Sequence, residues 1–260
     1  MRATVDASEA VWQDVECGVY KADIPLWLKL ADQCGQPSRV LDLGAGVGRV
    51  SLELARAGHA VTALDLSESL LAGLRDRAAC QAVGVRTVAA DVRTFDLGER
   101  FDLVIAPMQL VQLLPTARDR RLALARVRDH LRPGGLGALA ILDLGELARE
   151  EATGDDYALP RPDVLELDGW AYSSQPVAMR LLPSGRGPGA LELDRVRRAV
   201  APDGAAEESL SRVRLAGASP GELDEVATAV GLVPEQRRRI GPTRHHVASV
   251  VVILRKPEAG

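Results

Sequence analysis

Short apolar runs alternate with longer amphipathic segments over the first 142 residues. Between the runs, apolar residues recur at helical spacing, and Ser67 and Thr116 stand where a helix would begin. Strands separated by helical segments are usually joined in parallel, so the pattern predicts an α/β fold with helices on both faces of a sheet. The runs that predict strands are 40–43, 60–66, 85–91, 101–107 and 135–142.

The pattern changes after Leu142. Residues 145–163 show no regular period, and alternation of apolar and polar residues then predicts β-strands over 170–182 and on both sides of the stretch APDGAA, residues 201–206. An Asp-Gly pair between two such runs is typical of a hairpin. We therefore expect an antiparallel β lid inserted at 145–218.

Helical spacing marks both ends of the chain. Residues 11–34 predict a helix, and we expect a helical cap region over 1–36. A helix is predicted again over 219–232, between Ser219 and Gly231. Short strands are expected near 233–240 and over 246–256.

A glycine-rich turn follows the first predicted strand in VLDLGAGVGR, residues 40–49. A phosphate-binding P-loop would require a lysine, which this turn lacks. The dinucleotide fingerprint GxGxxG is missed by one residue, because Arg49 stands at the position of its third glycine. Asp42 precedes the glycines, and a carboxylate there disfavours a pyrophosphate. The turn therefore suits a ligand that bears a positive charge.

Four motifs in order resemble those of class I S-adenosylmethionine-dependent methyltransferases of the small-molecule type. They are DLGAGVGR at 42–49, Asp65 and Asp91 at the ends of two strands, and FDLVIAP at 101–107. The resemblance covers 40–142 well and 219–256 more loosely. It implies a single domain over 1–260. Its fold would be a Rossmann-like doubly wound sheet of about seven strands, the last antiparallel, beside the small antiparallel insertion.

The resemblance also implies the cofactor, which is S-adenosylmethionine with S-adenosylhomocysteine as its product. In the family, the acid at Asp65 bonds the ribose hydroxyls. The acid at Asp91 bonds the adenine amino group, and the next residue packs nearby. The cofactor-binding residues that we expect are Asp42, Gly44, Ala45, Gly46, Asp65, Leu66, Asp91, Val92, Pro107 and Tyr20.

The acceptor side of the site is expected where the parallel strands end. Gln109 follows the fourth strand, where relatives often carry asparagine. The family's antiparallel last strand would begin at the same rim, after His245 and His246. Histidine takes up protons near neutral pH, so we expect His245 and His246 to be catalytic. We expect the same of Gln109 because of its place after the fourth strand. The alternative is that one histidine is solvated and the other caps the turn. No metal site is expected.

Two classes of function remain open. The first is transfer of a methyl group to an O, N or C nucleophile of a small-molecule metabolite. The alternative is a catalytically inactive protein on the same fold that binds S-adenosylmethionine or a partner. The stretch APMQ replaces the [ND]PP[FYW] motif of amino-methyltransferases, which disfavours methylation of adenine or of protein glutamine.

Composition and net charge narrow the partners and the cellular compartment that we expect. A net charge of −4 disfavours a nucleic-acid partner. The sequence has no run of about 18 apolar residues, which disfavours a membrane span. Three widely spaced cysteines fit a reducing cytoplasm, and abundant arginine and alanine indicate a bacterial source. We expect a cytoplasmic enzyme with a small-molecule acceptor, and neither nucleic acid nor membrane as a partner.

Overall fold

The computed structural model describes residues 9–145, 147, 159, 161–182, 189–243 and 246–258. Two β-sheets form within these ranges. The strands are β1 (Arg39–Leu43), β2 (Ala60–Asp65), β3 (Val85–Ala89), β4 (Phe101–Ala106), β5 (Leu131–Ile141), β6 (Asp163–Leu167), β7 (Trp170–Leu182), β8 (Ala190–Val200), β9 (Ala206–Ala216), β10 (Val233–Pro234), β11 (Arg238–Ile240) and β12 (Ser249–Arg255).

The helices fill the intervals that the sequence pattern predicts. Ser67, Thr116 and Ser219 each accept a hydrogen bond from a main-chain N–H three residues ahead, so each caps a helix. The helices are α1 (Glu9–Gln13), a π-helical turn (Asp14–Gly18), α2 (Ile24–Cys34), α3 (Ser51–Arg56), α4 (Glu68–Cys80), α5 (Leu110–Leu113), α6 (Ala117–His130) and α7 (Pro220–Ala229).

The main sheet has the strand order β3-β2-β1-β4-β5-β12-β10, and β11 pairs with β12 beside this path. Strands β1 to β5 are parallel, and β12 runs antiparallel to β5, with Val250 opposite Ile141. The beginning of β12 therefore lies at the rim where the parallel strands end. The predicted Rossmann-like α/β fold with an antiparallel last strand is confirmed.

Apolar side chains bury both faces of this sheet. Leu124 of α6 and Leu223 of α7 pack on one face, and Trp27 of α2 and Leu54 of α3 pack on the other. Trp27 is completely buried, and its indole N–H donates to Asp23 Oδ2 at 2.8 Å. Burial of the apolar faces drives the packing, and the satisfied indole avoids the cost of a buried donor without a partner.

The amino-terminal segment departs from the single helix predicted over 11–34. Helix α1 continues into the π-helical turn, and α2 begins only at Ile24. The predicted helix is therefore wrong over 19–23. Pro25 lies in the first turn of α2, where its missing N–H costs no helical hydrogen bond, so it favours a new helix start there.

The second sheet is antiparallel, with the order β6-β7-β8-β9. Strands β8 and β9 pair from Ala190–Ala216 to Val200–Ala206, so the hairpin predicted around APDGAA is confirmed. This sheet packs on the amino-terminal segment, where Trp12 and Tyr172 meet edge to face with ring centroids 5.7 Å apart. Across the described ranges, no helix is long and apolar enough to span a membrane.

Candidate active site

The glycine-rich turn after β1 depends on left-handed backbone conformations. Gly44 and Gly46 have φ of +65° and +55°. The N–H groups of Gly44 and Ala45 donate to Leu64 O at 2.8 and 3.1 Å, which fixes the turn against the end of β2. A Cβ on Gly46 would lie 2.1 Å from the amide nitrogen of Gln13. Only glycine fits both the conformation and the space at this position.

Asp42 is a buried carboxylate beneath this turn. Ser51 Oγ donates to Asp42 Oδ2 at 2.6 Å, whereas Asp42 Oδ1 has no hydrogen-bond partner among the described residues. Burial raises the pKa of Asp42 to about 7, and the bond from Ser51 opposes this rise. A buried acceptor without a donor costs free energy, so this oxygen favours a ligand that brings a donor or a positive charge.

A cavity of about 60 Å³ lies between the turn and the amino-terminal segment. Gln13 lines this cavity, and its side chain is held there because its Oε1 accepts the N–H of Val47 at 2.8 Å. The cavity is smaller than the roughly 300 Å³ of a typical small-molecule site, so it fits only the end of a longer ligand. Its lining residues are Gln13, Cys17, Gly18, Asp42, Gly44, Ala45, Val47, Arg49, Val50, Pro107 and Met108.

Asp65 and Leu66 lie at the end of β2, next to the turn. Asp65 Oδ2 accepts the N–H of Gly46 at 2.8 Å, and Oδ1 accepts the N–H of Ser67 at 2.9 Å. These bonds leave further lone pairs on a half-buried carboxylate. Leu66 is 74% exposed beside it. The pair therefore offers an anionic acceptor next to an uncovered apolar side chain.

Asp91 lies two residues beyond β3 rather than at its end as predicted, because β3 ends at Ala89. Arg93 Nη2 donates to Asp91 Oδ2 at 2.6 Å, and Arg93 Nη1 donates to Asp119 Oδ1 at 3.1 Å. Hydrogen bonds from Arg93 lower the pKa of Asp91, which keeps this carboxylate ionised. Val92 is buried in the core beside it.

The backbone after β4 is strained at the site. Met108 and Gln109 both have positive φ, at +58° and +59°, although neither is glycine. Such conformations cost free energy and often occur at functional sites. The Gln109 amide N–H donates to Ser249 Oγ at 3.2 Å, across the rim at the beginning of β12. By contrast, Gln112 is fully buried and bonds both main-chain groups of Leu142.

The Tyr20 ring contacts both His246 and Arg49. Its ring stacks on His246 at a centroid distance of 4.4 Å, and the Arg49 guanidinium lies 5.1 Å from the same ring. Burial, aided by the charge of Asp23, raises the pKa of Tyr20 to about 12. Tyr20 does not line the 60 Å³ cavity itself, but it contacts Arg49, which does.

His246 lies at the predicted rim, and His245 lies outside the described residues. Burial lowers the pKa of His246, while Asp163 and a hydrogen bond to the main chain of Glu16 oppose this shift. A neutral imidazole carries a lone pair on one ring nitrogen, which can accept a proton. Gln109 and Ser249 are at the same rim, so the sheet brings two of the three predicted catalytic residues to one side.

A larger cavity of about 530 Å³ lies at the opposite rim, where the parallel strands begin. The charges of its wall are largely paired within the protein, since Arg132 contacts Asp102 and Arg255 contacts Glu235. Ligands of open α/β sheets bind at the other rim, where the parallel strands end. We therefore place the candidate site at the glycine-rich turn.

Sequence reasoning missed Gln13, Glu16 and Cys17. All three belong to the amino-terminal segment, and no motif marks them. Burial raises the pKa of the Cys17 thiol to about 11, so this wall of the cavity is uncharged at neutral pH. Within the described ranges, no three His, Cys, Asp or Glu side chains form a group that could hold a metal ion.

Residues 40–135 match the family described as Methyltransferase domain. This part of the chain is similar to methyltransferase domains. The fold around it is that of class I S-adenosylmethionine-dependent methyltransferases, whose cofactor is S-adenosylmethionine.

Curated relatives match parts of the chain. Hemagglutinin 1 of Eikenella corrodens is 33% identical over 108 residues, which are 42% of this chain and 35% of that protein. The cypemycin N-terminal methyltransferase of Streptomyces sp is 32% identical over 123 residues, which are 47% of this chain and 49% of that protein. The chain thus spans about a third to a half of the length of these relatives.

Solved structures match nearly the whole chain. CalS10 of Micromonospora echinaspora, an amino pentose methyltransferase solved with bound S-adenosylmethionine, superposes with a TM-score of 0.69. The match covers 95% of this chain and 96% of that chain at 24% identity. At this identity the likeness concerns the fold, including the antiparallel sheet.

Proposed function

We propose that this protein transfers a methyl group from S-adenosylmethionine to an O, N or C nucleophile of a small-molecule metabolite. One observation carries the proposal. Asp42 lines the glycine-turn cavity, and its buried Oδ1 has no hydrogen-bond partner in the described structure. An ammonium group would satisfy that oxygen, and the amino-acid end of S-adenosylmethionine carries one.

The other residues of the turn would hold the rest of the cofactor. Gly44, Ala45 and Gly46 would let the main chain of the turn come close to the cofactor, and Pro107 and Gln13 would line the cavity around it. Asp65 would accept the ribose hydroxyls, with Leu66 as an apolar surface for a flat ring. Asp91 and Val92 would receive the adenine edge. The bound cofactor supplies an electrophilic methyl group, and the protein supplies alignment.

The acceptor would lie between the strained turn after β4 and His246. Gln109, positioned by Ser249, would orient it through its amide. As the acceptor's lone pair bonds the methyl carbon and the carbon–sulfur bond breaks, His246 would take the acceptor's proton where there is one to lose. Tyr20 would support His246 through the ring stack. The antiparallel sheet, packed on the amino-terminal segment, would cover the site as a lid and exclude water.

The setting that we propose is the bacterial cytoplasm, with a small molecule rather than a nucleic acid as acceptor. The widely spaced cysteines and the net charge of −4 support this setting.

Calorimetric titration with S-adenosylhomocysteine tests the cofactor, with NAD as the comparison ligand. We expect a micromolar dissociation constant for S-adenosylhomocysteine and no heat with NAD. In Asp65→Ala, we expect binding to weaken by about a hundredfold, because two charge-assisted hydrogen bonds are lost.

Asp76→Ala is the matched control, since Asp76 is an exposed aspartate on α4. Its affinity should equal that of the wild type. Binding of NAD in place of S-adenosylhomocysteine would contradict the proposal. So would formation of no S-adenosylhomocysteine when the enzyme and S-adenosylmethionine are incubated with broad sets of small amines, alcohols and phenols.

A further inference from the structure

The antiparallel sheet is anchored to the rest of the protein at two places along β8. Near the end of the strand, Arg197 donates from Nε and Nη2 to the Glu16 carboxylate of the π-helical turn, at 2.7 and 2.9 Å. Near its beginning, Leu191 packs in an apolar cluster with Leu142 and Val247. Leu191 and Arg197 are an even number of positions apart, so they share one face of the strand. We call this face, which meets the rest of the protein, the inner face of the sheet.

Both anchors adjoin residues of the candidate site. Glu16 directly precedes Cys17, which lines the glycine-turn cavity. Val247 directly follows His246, whose ring stacks on Tyr20. The stretch of β8 between the two anchors therefore spans the space between the glycine-turn cavity and the acceptor side of the site.

Arg195 lies in this stretch and on the inner face, two positions from Arg197. It is only 9% exposed. Its Nη1 donates to Asp163 Oδ2 at 3.0 Å and to Ser174 Oγ at 3.3 Å. A buried charge without a partner is costly, so these bonds stabilise the guanidinium in its place. They also fix the orientation of its plane, because they hold one edge of it.

A second edge of the Arg195 guanidinium is unused. Among the described residues, no acceptor lies within hydrogen-bond distance of its Nε or Nη2. Neither nitrogen is one of the fully buried polar atoms that lack a partner in the described ranges, so both keep contact with solvent. The Nε–Nη2 edge is the fork with which arginine binds a carboxylate or phosphate through two parallel bonds, as Arg197 binds Glu16. Arg195 thus carries a fixed and accessible fork for an oxyanion.

We propose that Arg195 determines the specificity of the site by binding a carboxylate or phosphate group of the acceptor, so that the acceptor is an anionic small molecule. Its Nε and Nη2 donate to the anion, while Asp163 and Ser174 hold the other edge. One end of the acceptor is thereby fixed, which reduces the number of ways in which its nucleophile can approach the methyl group. The identification of the anion as an acceptor rests on the proposed function, whereas the anion site itself does not.

Arg49 lines the cavity but offers no such fork. Its Nη1 and Nη2 donate to the two carboxylate oxygens of Asp23 at 2.6 and 2.7 Å. A ligand would have to displace this carboxylate before Arg49 could bind it. At Arg195 the partner carboxylate of Asp163 takes only Nη1, so an anion can bind without breaking the ion pair.

The first test titrates the protein with inorganic phosphate and with acetate, and follows the arginine Nε–H signals by ¹H–¹⁵N NMR. Sodium chloride at matched ionic strength controls for screening. We expect the Arg195 signal, assigned through Arg195→Lys, to saturate in about the millimolar range with at least one of the two anions. The stronger response tells phosphate from carboxylate. The signal of Arg198, whose side chain is 54% exposed on the other face of β8, should follow ionic strength alone.

The second test uses variants and an acceptor found by screening. Arg195→Lys keeps a positive charge beside Asp163 but removes the fork, so it remains informative if Arg195→Gln does not fold. The KM for the anionic acceptor should rise about tenfold in Arg195→Lys and about a hundredfold in Arg195→Gln, because charge-assisted bonds are lost. Affinity for S-adenosylhomocysteine should stay within about threefold of the wild type. Arg198→Gln is the matched control and should keep the wild-type KM.

An Arg195 signal that follows ionic strength alone in both titrations would overturn the anion site. So would a wild-type enzyme that turns over neutral acceptors as well as matched acceptors that carry a carboxylate or phosphate. Wild-type protein that shows the Arg195 response but fails to bind S-adenosylhomocysteine would overturn the proposed function alone.

Discussion

The two sides of the candidate site are formed by different kinds of structural element. The proposed cofactor side consists mainly of a main-chain turn and of carboxylates at or just beyond the ends of neighbouring strands, within residues 42–91, with Gln13 and Pro107 beside them. The acceptor side consists of side chains from the amino-terminal segment, the antiparallel sheet and the beginning of β12. Its contacts join residues as far apart in sequence as Glu16 and Arg197, which are separated by 181 positions.

This difference separates what is fixed by the fold from what is free to vary. The cofactor side uses backbone N–H groups and glycines whose replacement would disturb the turn itself. On the acceptor side, ion pairs and aromatic contacts meet across two sheets, and each could be exchanged without altering the main sheet. We therefore expect substitutions on the two sides to affect different measurable quantities.

The largest effect is expected from His246→Asn. Loss of a general base lowers turnover by about 10²–10⁴-fold, while S-adenosylhomocysteine affinity should stay within about threefold. The acid limb of the wild-type kcat/KM profile should have its midpoint below the ordinary histidine pKa, because burial lowers the pKa of His246 in the free protein and keeps the ring neutral at lower pH. The rate is followed as release of S-adenosylhomocysteine with an acceptor found by screening. A variant with wild-type turnover would show that the acceptor needs no base.

Gly46→Ala should show the opposite pattern, a loss of cofactor affinity rather than of a catalytic group. The added Cβ would meet Gln13 and force it into the cavity, so calorimetry should show S-adenosylhomocysteine affinity lower by about ten- to a hundredfold. Gly58→Ala is the matched control, because Gly58 also has positive φ, at +93°, but has no atom within 4 Å of an added Cβ. That variant should lose stability and keep its affinity. Equal losses of affinity in both variants would point to backbone strain rather than to the cavity.

Asp42→Asn should stabilise the free protein in a pH-dependent manner. The folded state holds the Asp42 proton more tightly than the unfolded chain does, since the folded pKa is about 7. The stability associated with this proton is present below about pH 4 and is lost as the pH rises to 7. The variant should therefore be more stable than the wild type by up to about 4 kcal/mol at pH 8, and its melting temperature should nearly equal that of the wild type at about pH 3.5. An equal gain at both pH values would show that Asp42 does not titrate in this range.

The smallest effect is expected from Arg212→Met, in β9 of the antiparallel sheet. Arg212 bonds Asp194 at 2.6 Å, but its side chain is 54% exposed and Arg180 bonds the same carboxylate. Exposed pairs contribute little, so the melting temperature should shift by no more than about two degrees. Both affinity and turnover should match the wild type. A change in turnover would extend the acceptor side to the pairing of β8 with β9.

The sequence predicted the main sheet and the glycine turn because both leave local patterns. Apolar runs mark β1 to β5, and the glycines mark positions with positive φ. The amino-terminal segment was predicted less well, since apolar spacing does not distinguish a continuous helix from a π-helical turn followed by a break. Its contacts with β7 and β8 could not be predicted, because pairing between residues more than 150 positions apart depends on how two sheets pack.

The polar residues of the rim also differ in how well the sequence predicts their place. Gln109 and Gln112 look alike in the sequence, three positions apart. The structure buries Gln112 against Leu142 and leaves Gln109 at the rim, because the backbone turns sharply at Met108. Asp91 was correctly associated with the third strand, but its partner Arg93 was not foreseen. Which side of a short turn faces the site is set by dihedral angles rather than by composition.

Asp42 would couple the binding of a cationic ligand to the release of a proton. At neutral pH a substantial fraction of this carboxyl is protonated, because burial brings its pKa to about 7. A cationic group that settles against Asp42 favours the ionised form and expels that proton to the solvent. Affinity for such a ligand would then increase with pH through neutrality. The heat of binding would depend on the buffer that absorbs the proton. The fraction of the protein that holds its methyl donor would therefore depend on the pH of the surrounding solution.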